Sequence, residues 1–380
     1  MLKQEIQEYI DAHEEEAYRL LVTLAQIPAP SNHEEKRMEF CRKWLEDMGA
    51  KGVYTDAALN VVYPYQAEGD RPVIVIMAHT DVVFPDMDPL PLKEEDGKIC
   101  CPGIGDDTAN LAALLMTAKY VTEKQLQTKD AGVVFVCNAG EEGMGNLKGS
   151  RKICEDYGSR IREFYSLDGT MENVTNCAVG SSRFKVTVRT IGGHSYGSFG
   201  NPNAIAHLAS IIADIYKIQV PAEGKTTYNV GVIQGGTSVN SIAQEASMLC
   251  EYRSDREAAL AYMEQQFSGI FDAHNTKDAQ VTVELVGLRP CESLDDAQRQ
   301  KRDAMVAEAC GLLKEITGKD IRTGSGSTDC NIPLSMGIPS VCYGCYYGKG
   351  AHTREEYIEK ASLKMGYRVA FETVLKHFEA

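Results

Sequence analysis

Long apolar runs are missing from this 380-residue chain. None approaches ~18 residues, so no membrane span is expected. The opening stretch, MLKQEIQEYIDAHEEEAYRL, lacks the apolar core and cleavage site of a signal peptide, and it does not read as a transit peptide either. Basic charge is scarce. Lys and Arg number 39 against 54 Asp and Glu, a formal charge of −15, which argues against nucleic acid or an anionic membrane as the main partner. A second CxxC is absent: Cys342-Tyr-Gly-Cys345 stands alone and Cys100-Cys101 is an adjacent pair, so a four-ligand structural zinc is not expected. The 12 cysteines, among them Cys137 and Cys250 in apolar contexts, read as core thiols in a reducing compartment, the cytoplasm. No GxSxG elbow stands at a strand-to-helix turn, which counts against a serine hydrolase. Internal repeats and low-complexity tracts are also lacking.

What is present centres on Pro72–Val83, PVIVIMAHTDVV. Apolar residues on both faces predict a strand buried in a covered sheet. It ends in His79-Thr80-Asp81. Ligands bind outside the carboxyl ends of strands in open α/β sheets. His79 and Asp81, two apart, point the same way in extended chain. A metal-binding histidine usually has a carboxylate that orients it. A surface His and a helix-capping Asp would give the same letters, so the rest of the chain must decide.

Along the chain, residues 2–26 alternate at helical spacing. Ser31-x-x-Glu34 reads as a capping box opening a helix to about Met48. Leu59–Tyr63 is a predicted strand, and residues 84–103, with four prolines, a loop. An apolar helix over Thr108–Val121, a strand over Gly132–Cys137, a helix over Leu147–Tyr157 and a strand over Glu163–Leu167 follow. This alternation predicts an α/β fold with a mostly parallel, covered sheet. From Arg183 the pattern becomes strand, helix (202–218), two strands (228–234 and 246–253), helix (257–274) and strand (281–286), a ferredoxin-like α+β unit. We therefore expect one domain over 1–181 and 293–380, and an inserted domain over 182–292.

Five places stand out: His79/Asp81, Asp106-Asp107 in PGIGDDTAN, Glu141-Glu142, Asp168 and His352. Each has an ordinary explanation as a cap, a turn or a solvated loop. Yet strand exits converge on one crevice, and converging carboxylates without a cation would repel one another. Two histidines and three carboxylates suit two zinc ions better than one, because two ions can share a bridging carboxylate.

In order and interval, HTD at 79–81, GIGDD at 103–107, the Glu pair at 141–142, Asp168 and GKGAHTREEY at 348–357 resemble the co-catalytic zinc peptidase family of aminopeptidase T, carboxypeptidase G and acetylornithine deacetylase. GGHS at 192–195 and GGTSVN at 235–240 extend the resemblance into the insert, with peptidase T-like members nearest. The resemblance implies that His79 binds one zinc, His352 the other, and that Asp106 bridges them. It further implies that Glu142 and Asp168 each complete one zinc, that Glu141 is the general base, and that Asp81 orients His79. Cobalt or manganese can substitute. His194 would hold the oxyanion, often from a partner subunit, so a homodimer through the insert is expected. Asn240 and Arg253 match positions that contact substrate. Many relatives carry Lys where this chain has Thr108.

The expected function is metal-dependent hydrolysis of an amide bond in a small peptide, by a peptidase T-like aminopeptidase. The alternatives are an N-acyl amino acid deacylase or carboxypeptidase of the same family and, remotely, a non-catalytic protein that retains the crevice.

Overall fold

A computed structural model describes residues 4–379. The chain divides into two compact units, Met1–Ala178 with Ser293–Ala380, and Val179–Glu292. The first unit is built on an eight-stranded sheet in the order Tyr54–Thr55, Val61–Tyr65, Gly132–Asn138, Val73–His79, Ile161–Leu167, Ser340–Tyr343, Asn173–Ala178 and Arg322–Gly326. The four strands from Gly132–Asn138 to Ser340–Tyr343 are mutually parallel, so their carboxyl ends leave on one edge.

The absence of alternation in Val73–His79 has a structural reason. Side chains alternate across the sheet, and both faces are covered. Ile74, Ile76 and Ala78 enter one core with Leu111, Leu115, Leu21 and Phe371. Val73, Val75 and Met77 enter another with Leu147, Ile153, Ile332 and Leu334. Gly132–Asn138 splits the same way: Val133, Phe135 and Cys137 join the first core, Val134 and Val136 the second. A strand fixed on both faces cannot slip by one residue without exchanging the two sets, and this pins His79 at its end.

The second unit is a four-stranded antiparallel sheet in the order Thr226–Gly235, Glu245–Ser254, Gly180–Thr190, Ala279–Arg289. Helices Ala204–Ile215 and Glu257–His274 cover one face through Val186, Val188, Leu208, Ile211, Met263 and Phe267. This is the ferredoxin-like arrangement expected from the β-α-β-β-α-β order. The first strand begins at Gly180, ahead of the alternation at Arg183, because Ser181 already pairs with Arg253 and Arg289.

Several local expectations change. The helix expected over 2–26, whose residues 2 and 3 lie outside the described residues, is two helices, Gln4–Ala12 and Glu14–Ala25. At the break the His13 ring hydrogen-bonds the Tyr9 carbonyl at 2.8 Å. The capping box does not form. Ser31 donates its hydroxyl to Asp81 (2.7 Å), and Glu34 accepts from the Asn32 N–H (2.8 Å) and pairs with Lys148 (2.9 Å), so the helix runs Glu35–Asp47 without a side-chain cap. The proline-rich loop contains strands Lys93–Glu95 and Lys98–Cys100, which join a small antiparallel sheet with Tyr357–Glu359 and Gly348–Lys349. Its turn at Asp96-Gly97, both with positive φ, is the hairpin signal that counting prolines overlooked. Among the described residues no helix is long and apolar enough to cross a membrane.

Candidate metal centre

Parallel register brings the candidates together from distant parts of the chain. His79 sits opposite Asn138, so the loop leading to Glu141 and Glu142 leaves beside it. Asp168 follows Ile161–Leu167 on the other side, its N–H donating to the Tyr343 carbonyl at 3.1 Å. Asp81 ties the first two exits together. Its Oδ1 accepts from the Glu141 N–H and its Oδ2 from the Glu142 N–H, both at 3.0 Å. The His79 Nδ1 lies 3.0 Å from the Asp81 carbonyl and 3.5 Å from its carboxylate. Asp81 therefore holds the imidazole mainly through its backbone, and its carboxylate chiefly fixes the two glutamates.

Asp106 occupies the turn Ile104–Ala109 and is joined to Asp107 by a cis peptide bond. Its two oxygens go to different histidines: Oδ1 lies 3.1 Å from His79 Nε2, and Oδ2 lies 3.1 Å from His352 Nε2. His352 Nε2 is also 2.7 Å from Glu142 Oε1. His352 has φ of 65°, a left-handed backbone that a side chain adopts at a cost, here at the site itself. Ligand atoms of His79, Asp106, Asp107 and Asp168 lie within 4.8 Å of one another, as do those of Asp106, Glu142 and His352, and those of His79, Glu141 and Glu142.

The electrostatics follow from burying so many like charges. Burial, then the neighbouring Asp106, pushes the Asp168 carboxyl up to about 7. Burial likewise holds Asp107 well above the usual carboxylate range, against the pull of His79. His352 is raised to about 11 by its hydrogen bonds to Asp106 and Glu142. Burial works against a charged His79, yet Asp107, Asp106 and Asp81 together hold its pKa well above the ordinary value. Asp106, also opposed by burial, is drawn down by both histidines. The cluster thus gathers positive charge wherever a group can carry it. Imidazole nitrogens and carboxylate oxygens, with the far nitrogen of His79 held by a carbonyl, fit a divalent cation of zinc's class.

Three residues have supporting roles that the sequence alone does not assign, one of them Asp107 of the Asp106-Asp107 pair. Asp107 accepts from the His79 N–H (2.8 Å) and from Asn110 Nδ2 (2.6 Å), so it positions one histidine's backbone. Ser31, at the position of the expected helix cap, instead donates to Asp81. Glu356 is almost fully buried and accepts three backbone N–H groups: Gly103 on Oε2 (2.6 Å), Gly105 and Asp106 on Oε1 (2.9 Å each). It grips the Asp106 turn from the segment that carries His352. Glycine-rich sequence at 103–105 was the available signal, since N–H groups exposed in such a loop call for an acceptor.

The remaining candidates lie in the second unit. His194 is exposed, on the short strand Gly193–His194 opposite Ser241 and Ile242. Its Nδ1 accepts from the Tyr196 and Gly197 N–H groups, 3.2 Å each, which leaves Nε2 as the N–H donor. The Asn240 carbonyl accepts from the Ser195 N–H at 2.9 Å, so Asn240 neighbours His194. Arg253 is not brought to them. It lies near the far end of Glu245–Ser254, roughly 26 Å along the strand from Glu245, and forks onto Glu251 through Nε (2.8 Å) and Nη2 (3.0 Å).

Substituting Glu356→Gln should leave one of the three N–H groups without an acceptor. The expected loss is about 1–3 kcal/mol of unfolding free energy, measured by urea denaturation of metal-free protein. An unchanged midpoint would show that the grip on the Asp106 turn carries no energy.

Comparison with known proteins agrees with this geometry. A profile of Peptidase family M20/M25/M40 matches residues 75–376. Succinyl-diaminopimelate desuccinylase of Pseudomonas fluorescens is 25% identical over 334 residues, 82% of this chain and 83% of that protein. Among solved structures, a tripeptidase from Staphylococcus aureus superposes with a TM-score of 0.76 at 22% identity, covering 95% of this chain and 97% of that one. Aminopeptidase PepT from Bacillus cereus superposes with a TM-score of 0.69 at 22% identity, covering 94% and 97%. The match begins within the strand that ends in His79 and includes every residue of the acidic cluster, and the chain belongs to peptidase family M20/M25/M40, as an enzyme of its metallopeptidase and amidohydrolase kind.

Proposed function

We propose that the chain is a two-zinc aminopeptidase of small peptides, acting at the cluster of His79, Asp106, Glu142, Asp168 and His352. One observation carries the reading: the two oxygens of Asp106 address two histidines, each with a carboxylate of its own within ligand range, Asp168 beside His79 and Glu142 beside His352. Such a donor set would hold one ion on His79 and Asp168, another on His352 and Glu142, with Asp106 between them. Two divalent ions in this setting supply Lewis acidity and an acidified water. Cobalt or manganese would fit the same donors.

The chain's own groups do the rest. Glu141 is buried, its backbone fixed by Asp81, on the residue next to a proposed ligand. A carboxylate there takes the proton of the attacking water and delivers it to the leaving amine. His194, with Nε2 as a donor, hydrogen-bonds the developing oxyanion, and Asn240 beside it contacts the substrate. Arg253, committed to Glu251 and distant from His194 along its strand, is the weakest of the proposed contacts. The names of the tripeptidase and of PepT favour a short peptide with a free amino group. The desuccinylase favours the second reading, an N-acyl amino acid deacylase. A non-catalytic role is disfavoured, because Glu141 and all five proposed ligands are present. Twelve cysteines, most of them buried, fit a cytoplasmic setting.

Metal-free protein reconstituted with zinc should approach two ions per chain by elemental analysis and cleave Ala-Ala-Ala in preference to N-acetylated amino acids or peptides ending in glutamate. Cleavage of blocked substrates alone would replace the aminopeptidase with the deacylase, and full activity without metal would end both readings.

Within the Glu pair, Glu141→Gln should lower kcat by ~10²–10⁴-fold with metal content unchanged. Glu142→Gln should instead release metal. The reverse pattern would exchange the two roles.

His194 lies in the second unit while every proposed ligand lies in the first. We propose that it serves the partner's site in a two-fold dimer. Glu141→Ala and His194→Ala proteins, each nearly inactive, should recover about a quarter of wild-type activity after subunit exchange in equal amounts. No recovery despite proven exchange would confine His194 to its own chain or remove it from the mechanism.

A further inference from the structure

One charged side chain beneath the centre has no part in the chemistry above. Arg37 is the third residue of the helix Glu35–Asp47, whose buried residues Arg37, Cys41 and Leu45 recur at i, i+4 and i+8. Position 37 thus lies on the helix's buried stripe, a place where apolar side chains are usual. Instead it carries a guanidinium that is only 2% exposed. Burying a charge is costly unless its hydrogen bonds are fully made.

Those bonds all go to neutral oxygens. Nε and Nη2 donate to the Ile27 carbonyl at 3.2 and 2.8 Å. Nη1 donates to the Thr80 carbonyl at 2.8 Å and lies 3.4 Å from Thr108 Oγ1. Thr80 stands between His79 and Asp81, and Thr108 follows Asp106-Asp107. A single nitrogen therefore joins the strand exit that carries one histidine to the turn that carries the carboxylate between the two. The other sides of both threonines are already occupied. The Thr80 N–H and hydroxyl donate to the Asn138 carbonyl at 2.7 and 2.8 Å, and the Thr108 hydroxyl donates to the Gly103 carbonyl at 2.5 Å. Arg37 completes their bonding on the remaining side. Its charge also faces Asp81 and Asp107, the two carboxylates that hold the backbones of Glu141, Glu142 and His79.

We propose that Arg37 is a positioning residue of the metal centre, setting the relative placement of His79 and Asp106 through Thr80 and Thr108. The assignment rests on the metal-binding reading above. It depends on the planar fork, whose donors reach the Ile27, Thr80 and Thr108 oxygens at once. A lysine, with one nitrogen, cannot reproduce that geometry.

The test is cobalt(II) titration of metal-free protein, read by visible absorption and by competition with a chelator. The Arg37→Met protein should bind cobalt at least tenfold more weakly, and its spectrum at saturation should differ from wild type. Lower global stability alone would not change the spectrum of the saturated, folded protein. The Arg37→Lys protein keeps the charge and should show a smaller loss of affinity with an altered spectrum, and it carries the test if Arg37→Met does not fold. A guanidinium acting only as charge would repel the ions, so tighter binding in Arg37→Met would overturn the proposal. So would wild-type affinity and spectrum in either variant. Wild-type protein that takes up no cobalt, zinc or manganese would overturn the metal reading itself and this assignment with it, whereas normal uptake by wild type and variants alike would remove only Arg37.

Discussion

Mutual repulsion among buried carboxylates is the constraint on which the rest of this structure depends. Asp81, Asp107, Glu141 and Glu142 are buried, and Asp106 and Asp168 lie against them. Out of water such groups are stable together only if each is supplied with donors or a cation. Much of the first unit can be understood as meeting that demand. Asp81 takes two backbone N–H groups and a serine hydroxyl, Asp107 takes a backbone N–H and an amide, and Glu356 takes three N–H groups from a glycine-rich turn. What those donors leave unmet falls between His79, His352, Asp106, Glu142 and Asp168, and this remaining demand for positive charge is the physical basis for a metal there.

Asp81, Asp107 and Glu356, which are not proposed ligands, have a second effect, because they accept from backbone groups of segments that carry ligands. Asp81 couples the His79 exit to the Glu141–Glu142 loop. Glu356 couples the Asp106 turn to the segment of His352. Electrostatic supply and geometric positioning are here the same hydrogen bonds. That is economical in a site whose function needs ligands held to a fraction of an ångström. The sheet provides the coarse placement, since four parallel strands packed on both faces cannot shift register, and the carboxylate bonds provide the fine placement.

The resemblance to the desuccinylase, the tripeptidase and PepT therefore reaches different depths. The acidic cluster is built from short motifs within the matched region, and the family follows from it. The choice between a free amino group and an acyl group would be made by side chains that meet the substrate, and relatives at 22–25% identity differ in their named reactions. His194 lies on a short two-stranded ribbon with Asn240 just before its second strand, while Arg253 is turned to Glu251, so the three candidates of the insert fall in separate regions.

The residues of the cluster were legible in the sequence because each breaks a strong local pattern. A His or Asp at the end of a strand apolar on both faces, or a Glu pair after another such strand, has no use in packing. The ferredoxin-like insert was legible for the converse reason, a clean change from uniform to alternating hydrophobicity. Less legible was anything whose partner lies far along the chain. Ser31 and Glu34 have the spacing of a capping box, but their partners Asp81 and Lys148 are 50 and 114 residues away. Glu356 reaches back about 250 residues to Asp106. Arg37 interrupts an apolar stripe, and local pattern alone cannot tell a buried cation from an edge residue. Sequence thus determined which chemistry-bearing groups leave the sheet and in what order. Tertiary structure decided which carboxylates bind backbone and which are left for a cation, because hydrogen bonding depends on distance in space and is blind to separation along the chain.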